Sequence, residues 1–301
     1  MTGARVEELA KGVHAYVQPD GGWCVSNSGI ITGRDSVTVI DTAATEARAR
    51  SLAAAAAEVG GRAPRTLVNT HHHGDHTFGN FVFAPAATVV AHERARAEMA
   101  EKGLGLKHVW PDTDWGAIEV VLPSVTFSEE LTLHVDDLVV ELVHVGPAHT
   151  TNDVVAWLPA ERILFAGDVV LSGCTPFALM GSVRGSLRAL DTLEAWEPET
   201  VVCGHGPVCG PEVFAATRAY FHWLGDVAAE GFAAGTPPLE QARRTDLGGF
   251  AGLLDRERLV ANLHRAYAEL AGAADGDHIP SGPVFAEMVA YNGGRPLSCS
   301  A

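Results

Sequence analysis

The run His71-His72-His73-Gly74-Asp75-His76 places five ligand-type side chains in six positions. Within it the spacing HxHxDH sets imidazoles at i and i+2, followed by a carboxylate and a third imidazole in a turn. Neutral imidazole and carboxylate suit Zn, Fe or Mn, and a turn between strand and helix can converge several of them on one point. Three more ligand-type residues follow apolar runs and have glycine close by: His149 in Gly146-Pro147-Ala148-His149-Thr150, Asp168 in Ala166-Gly167-Asp168, and His205 in Gly204-His205-Gly206. Singly, each reads as an ordinary turn. Together with the first motif they form a seven-residue set, enough for two metal ions. Two divalent cations roughly 3.5 to 4 Å apart lower the pKa of a water between them and polarise a carbonyl, which permits attack on an acyl carbon or removal of a proton α to a carbonyl. In such a site Asp75 is placed to orient the attacking lone pair. No G-x-S-x-G elbow is present, and Cys174 and Cys203 read as small core residues rather than nucleophiles.

These residues need strand ends to hold them. Residues 13–17, 24–32 and 37–41 are strand-like, and 45–59 reads as an Ala-rich helix stopped by Gly60-Gly61. Strands at 66–69 and 88–91 flank the histidine-rich run, and a charged helix at 92–102 leads into a loop with Trp110, Pro111 and Trp115. Residues 131–135, 138–145, 154–158 and 162–166 read as consecutive strands, 185–196 as a helix and 200–203 as a last strand. The rest is mostly helical to residue 270, with breaks at 235–238 and 248–249. No linker or repeat divides the chain, so residues 1–301 read as a single domain whose part 211–301 is mainly helical and covers the site.

With 301 residues, 47% hydrophobic and 19% charged, the composition is globular and excludes a disordered chain, a collagen-like repeat and a coiled coil. The net charge of −16 argues against nucleic acid and anionic membrane surfaces as partners. No stretch of about 18 apolar residues runs uncharged, and residues 1–20 lack a signal-peptide core. The five cysteines have no CxxC spacing, which fits a reducing compartment. The expected location is cytoplasmic.

With its five motif elements in order, the sequence resembles the metallo-β-lactamase-fold hydrolases. The resemblance implies an α/β protein, an αβ/βα four-layer sandwich with the site at one edge and two zinc ions, Fe or Mn being possible. It assigns His71, His73 and His149 to the first metal, Asp75, His76 and His205 to the second, and Asp168 to the bridge, with Asp75 and Asp168 as the catalytic carboxylates. His72 is then a supporting or surface residue.

Six further segments are Gly21-Gly22-Trp23-Cys24-Val25-Ser26-Asn27, Trp110-Pro111 with Asp114-Trp115-Gly116, GCTPFALMG at 173–181, DLGGFAGLLD at 246–255, LVANLHR at 259–265 and VAYNGG at 289–294. These look like the second-ring cyclases of aromatic polyketide pathways, of the actinorhodin type. That likeness implies a polyketide cyclase and thioesterase in antibiotic biosynthesis. Its substrate is an aromatic polyketide on an acyl carrier protein; it closes the second ring by aldol condensation and hydrolyses the thioester to a bicyclic acid. Trp110, Trp115, Phe177, Met180 and Tyr291 are candidates for the walls of its aromatic pocket. An acidic carrier needs basic docking residues, for which Arg243-Arg244, Arg256 with Arg258, and Arg184 with Arg188 are available. The competing expectation is a generic cytoplasmic dinuclear-zinc hydrolase of small thioesters or lactones.

Overall fold

The computed structural model describes residues 3–84 and 86–301. Four strands open the chain, β1 (Arg5–Ala10), β2 (Val13–Val17), β3 (Ser28–Thr32) and β4 (Val37–Ile40), each antiparallel to the one before. Helix α1 (Glu46–Gly60) starts at Thr45, whose hydroxyl accepts the Arg48 amide, and stops at Gly61 in the left-handed conformation. The chain then turns parallel, adding β5 (Thr66–Asn69), β6 (Thr88–His92) and β7 (Val125–Phe127) in order beyond β4. Parallel neighbours need crossovers. These run through α1, through the single-turn helices α2 (Gly74–Thr77) and α3 (Asn80–Phe83), and through α4 (Glu93–Lys102).

The second sheet has the order β12-β11-β10-β9-β8. Its strands β8 (Glu130–Val135), β9 (Leu138–His144), β10 (Val154–Leu158) and β11 (Ile163–Gly167) form an antiparallel meander. Strand β12 (Thr200–Cys203) lies parallel to β11 after helix α5 (Val183–Ala195).

Strand β10 shows why two sheets stack with helices outside. All five of its residues are buried. Val154, Ala156 and Leu158 join Val13, Ile31 and Val68 of the first sheet, while Val155 and Trp157 meet Leu190 and Leu193 of α5. Alternate residues face opposite sides of a strand, so a wholly apolar strand needs a cover on each face. Each fully buried Val or Leu contributes about 1.5–3 kcal/mol. On the far side α1 covers the first sheet through Leu52 and Ala56 against Val39 and Leu67. Helix, sheet, sheet, helix is the four-layer sandwich the sequence leads one to expect.

Beyond β12 come α6 (Glu212–Ala233), α7 (Pro238–Arg244), α8 (Arg258–Leu270) and α9 (Ser281–Tyr291). They share one apolar cluster with Trp110 and Trp115, built on Tyr220, Leu224, Leu263 and Met288. Helix α8 also buries polar groups that grip the segment 173–181. Asn262 accepts the Ala178 amide at 2.9 Å and donates to the Pro176 carbonyl at 2.8 Å, and Arg265 donates to the Leu179 carbonyl at 3.0 Å.

The strand expected at 24–32 begins only at Ser28. Cys24 has a positive φ of 64°, and the Asn27 side chain leaves the ladder to donate to the carbonyls of Cys203 and Gly206. Among the described residues, no helix is long and apolar enough to cross a membrane.

Candidate metal centre

The seven ligand-type residues come from both sheets and meet at one edge of the sandwich. His71 lies two residues beyond β5, and His73 sits at the N-terminal boundary of α2, which carries Asp75 and His76. Asp168 follows β11, and His205 follows β12. His149 lies in the loop between β9 and β10, where Asp153 accepts the amides of Ala148 and Thr150 at 3.0 and 2.9 Å. A Cβ on Gly204 would overlap the Asp168 carboxylate, so only glycine lets the end of β12 come this close.

Each imidazole has one nitrogen tied outward and the other aimed at the centre. Nδ1 of His149 donates to the Phe177 carbonyl at 2.6 Å, and that of His205 to the Gly21 carbonyl at 3.0 Å. Nδ1 of His76 meets the Asp41 carboxylate at 2.8 Å, and that of His71 the Thr70 hydroxyl at 3.1 Å. His73 is reversed: Nε2 lies 3.2 Å from the Met180 sulfur and Nδ1 2.9 Å from Nε2 of His149. One ligand atom from each of His71, His73, His149 and Asp168 falls within a 4.8 Å span, and Asp75, His76 and His205 form a second such group. Asp168 links the two, with Oδ1 3.2 Å from Nε2 of His76 and Oδ2 3.4 Å from Nε2 of both His149 and His205.

The donor set fits a pair of divalent cations. Nε2 of His71, Nε2 of His76 and Oδ1 of Asp168 are buried without a hydrogen-bond partner, a costly state unless something else satisfies them. The last two face each other at 3.2 Å without the alignment of a hydrogen bond. Outward hydrogen bonds that fix the second nitrogen of each ring are the usual support of metal-binding histidine.

The electrostatics point the same way. Burial first, then the neighbouring His76, holds His71 well below the ordinary imidazole range, and burial with His72 does the same to His73. For His76, burial is outweighed by the carboxylates of Asp168, Asp41 and Asp75, which raise it well above that range. His205 is pushed up to about 9, Asp168 and Asp75 again outweighing burial. The carboxylates thus favour positive charge at His76 and His205, which a bound cation would supply in place of the imidazole protons.

Asp41 is a part of this site that the sequence reading passed over as a strand end. Beside its bond to His76 it accepts the Thr70 amide at 2.8 Å and the Thr70 hydroxyl at 2.7 Å. The same rule that singled out Asp168, a carboxylate just past an apolar strand, applied to it. His72 is buried; its amide donates to Asn152 Oδ1 at 3.1 Å, and burial with the nearby Lys102 pushes its pKa down to about 3.

Trp110, Phe177 and Met180 line a small recess together with His73, Asp75, His149, Asp168 and His205. Met180 also lines a larger cavity of about 610 Å³ beside it, walled by Phe78, Leu106, Phe285 and Val289. Trp115 and Tyr291 line neither; Trp115 packs edge-on against Phe78 and donates to the Trp110 carbonyl at 3.2 Å. Cys174 donates to the Gly21 carbonyl and burial pushes its thiol up to about 12, so it is no nucleophile at neutral pH. Of the basic residues considered for docking, Arg258 is buried over the Trp23 ring at 4.0 Å, and Arg184 and Arg188 both close on Asp275.

Residues 21–205 match the model of the metallo-beta-lactamase superfamily, and the chain belongs to that superfamily. The match ends at the last of the seven ligands. A metallo-beta-lactamase type 2 of Bacteroides fragilis is 25% identical over 223 residues, 71% of this chain and 83% of the relative. A hydroxyacylglutathione hydrolase of Methylococcus capsulatus is 32% identical over 155 residues, 50% of this chain and 52% of the relative, so the match spans only about half the length of that protein. The solved structure of a metallo-beta-lactamase from Pontibacter korlensis superposes with a TM-score of 0.62 at 20% identity, covering 73% of this chain and 99% of the other. The fold, the family and the paired ligand groups define an enzyme with a dinuclear metal-binding hydrolase site.

Proposed function

We propose that the protein hydrolyses an acyl thioester at the dinuclear centre. The observation that carries this reading is the pairing of the seven-residue cluster with an apolar cavity of about 610 Å³ that meets it at His73 and Met180. The similarity to hydroxyacylglutathione hydrolases favours an acyl group on sulfur as the bond cleaved. His71, His73, His149 and Asp168 would hold one cation and Asp75, His76 and His205 the other, with Asp168 shared. Bound cations of this kind supply Lewis-acid polarisation of the carbonyl and activation of water. The protein's own groups do the positioning: Asp75 accepts a hydrogen bond from the attacking water, while Trp110, Phe177 and Met180 exclude bulk solvent from the recess.

The cavity favours a narrower second reading. A small acyl group needs no such volume, whereas a ring system does; pockets of about 300–1,000 Å³ suit drug-sized ligands. With the segment resemblances, this supports an aromatic polyketide carried on an acyl carrier protein, whose second ring is closed by aldol condensation before the thioester is cut. Holding a chain of many rotors in attack geometry draws on the roughly 7–11 kcal/mol that orientation can supply.

The test is turnover by the metal-loaded protein of a carrier-bound aromatic precursor beside small thioesters and lactones, with product analysis. A freed carboxylate with a new ring, formed much faster from the carrier-bound substrate, supports the narrower reading. Equal rates and no new ring leave the generic thioester hydrolase. Hydrolysis of none of them overturns both.

A further inference from the structure

We infer that Lys102 is a specificity-determining residue that selects acyl groups bearing an enol or phenol oxygen; this rests on the large cavity being the acyl site. Lys102 ends α4 and lines the cavity beside His72, in a wall otherwise made chiefly of apolar side chains. Its ammonium has three N–H groups and two strong acceptors, Glu98 Oε2 at 2.7 Å and His72 Nε2 at 3.2 Å. The third neighbour is the Met180 sulfur at 3.8 Å, a weak acceptor. That sulfur is also 3.2 Å from Nε2 of His73, so one atom separates Lys102 from a ligand of the metal centre.

Glu98 and His72 hold the ammonium at the cavity wall, with 41% of the Lys102 side chain open to solvent. Glu98 braces it one helical turn back, and His72 is itself fixed through Asn152. A ring system filling the cavity with its carbonyl at the metal centre brings one edge past this ammonium. An oxygen on that edge gains a charge-assisted hydrogen bond that the thioether does not offer. The Glu98 carboxylate already balances the ammonium charge, which argues for a neutral oxygen over an anionic one. A second carboxylate would face uncompensated repulsion, whereas a neutral, acidic hydroxyl of an enol or phenol would not.

The experiment compares three naphthoyl thioesters of N-acetylcysteamine that differ only on the distal ring: a hydroxyl, a carboxyl, or hydrogen. Calorimetric binding of the three matching amides, which resist hydrolysis, runs in parallel. The wild type should prefer the hydroxyl over hydrogen by about tenfold in both kcat/KM and affinity, as a hydrogen bond to a charged group gives. Lys102→Met should bring that ratio to about one, and Lys102→Arg should restore most of it. No preference in the wild type, a preference that survives Lys102→Met, or a preference for the carboxyl would overturn the inference. A protein that binds the hydroxy amide through Lys102 but cleaves no thioester keeps the inference and overturns the hydrolase reading.

Discussion

Asp41 shows how much of a metal site lies outside its ligands. Its carboxylate holds the His76 ring and, through Thr70, the backbone that leads into His71. Asp41→Asn removes one of these acceptor positions while keeping the shape. Metal affinity should fall by about 10- to 100-fold, measured by competition with a chelator; unchanged affinity would mean that the ring is held by packing alone. A second residue prediction concerns pH. Asp275 is drawn down to about 2: partial burial raises it, but hydrogen bonds from Arg188 and Arg184 outweigh that. In the unfolded chain an aspartate titrates near 3.9. A depressed folded-state pKa stabilises the protein above about pH 4, and that contribution is lost as pH falls toward 2. For this half-exposed cluster it amounts to less than about 1 kcal/mol. The urea midpoints of wild type and Asp275→Asn should differ at pH 6 and converge near pH 2; a constant gap would show that charge is not the cause.

Elements rather than side chains decide where the ligands end up, and here the sequence was legible in part. The ligand residues stood out because imidazole and carboxylate in glycine-flanked turns after apolar runs have a chemical meaning before any fold is known. The wholly apolar β10 and the capped α1 were legible for the same local reason. The edge strand β1 was not: three of its six residues are exposed and none is buried, so no clean alternation marks it. Nor was the cavity, whose wall combines α2, α4 and α9, elements whose meeting is set only by tertiary packing. The end of β12 supplies the prediction at this scale. Gly204→Ala should push the Asp168 carboxylate out of place and strip metal and activity together, whereas Gly249→Ala, with open space around it, should do neither. Elemental analysis of both purified variants checks this, and full metal occupancy in Gly204→Ala would refute the close-approach argument.

Across the whole molecule, the sandwich owes its stability to cores between and outside the sheets that contain no metal ligand. The protein should therefore carry about two metal ions per chain and lose activity to a chelator without losing its helical and sheet content by circular dichroism. Unfolding on chelation, or activity with only trace metal, would contradict this. The cavity wall reaches past the superfamily match. The superfamily match closes at residue 205, while Phe285 and Val289 of the cavity wall lie on α9, well past it.

That separation has a direction in time. A ribosome delivers the seven ligands first, the last of them at position 205, and only afterwards α8, which clamps 173–181, and α9, which completes the cavity wall begun by α2 and α4. The nascent chain thus carries all seven ligands before it carries the helices that complete the cavity, and the cavity is the last part of the site to be made.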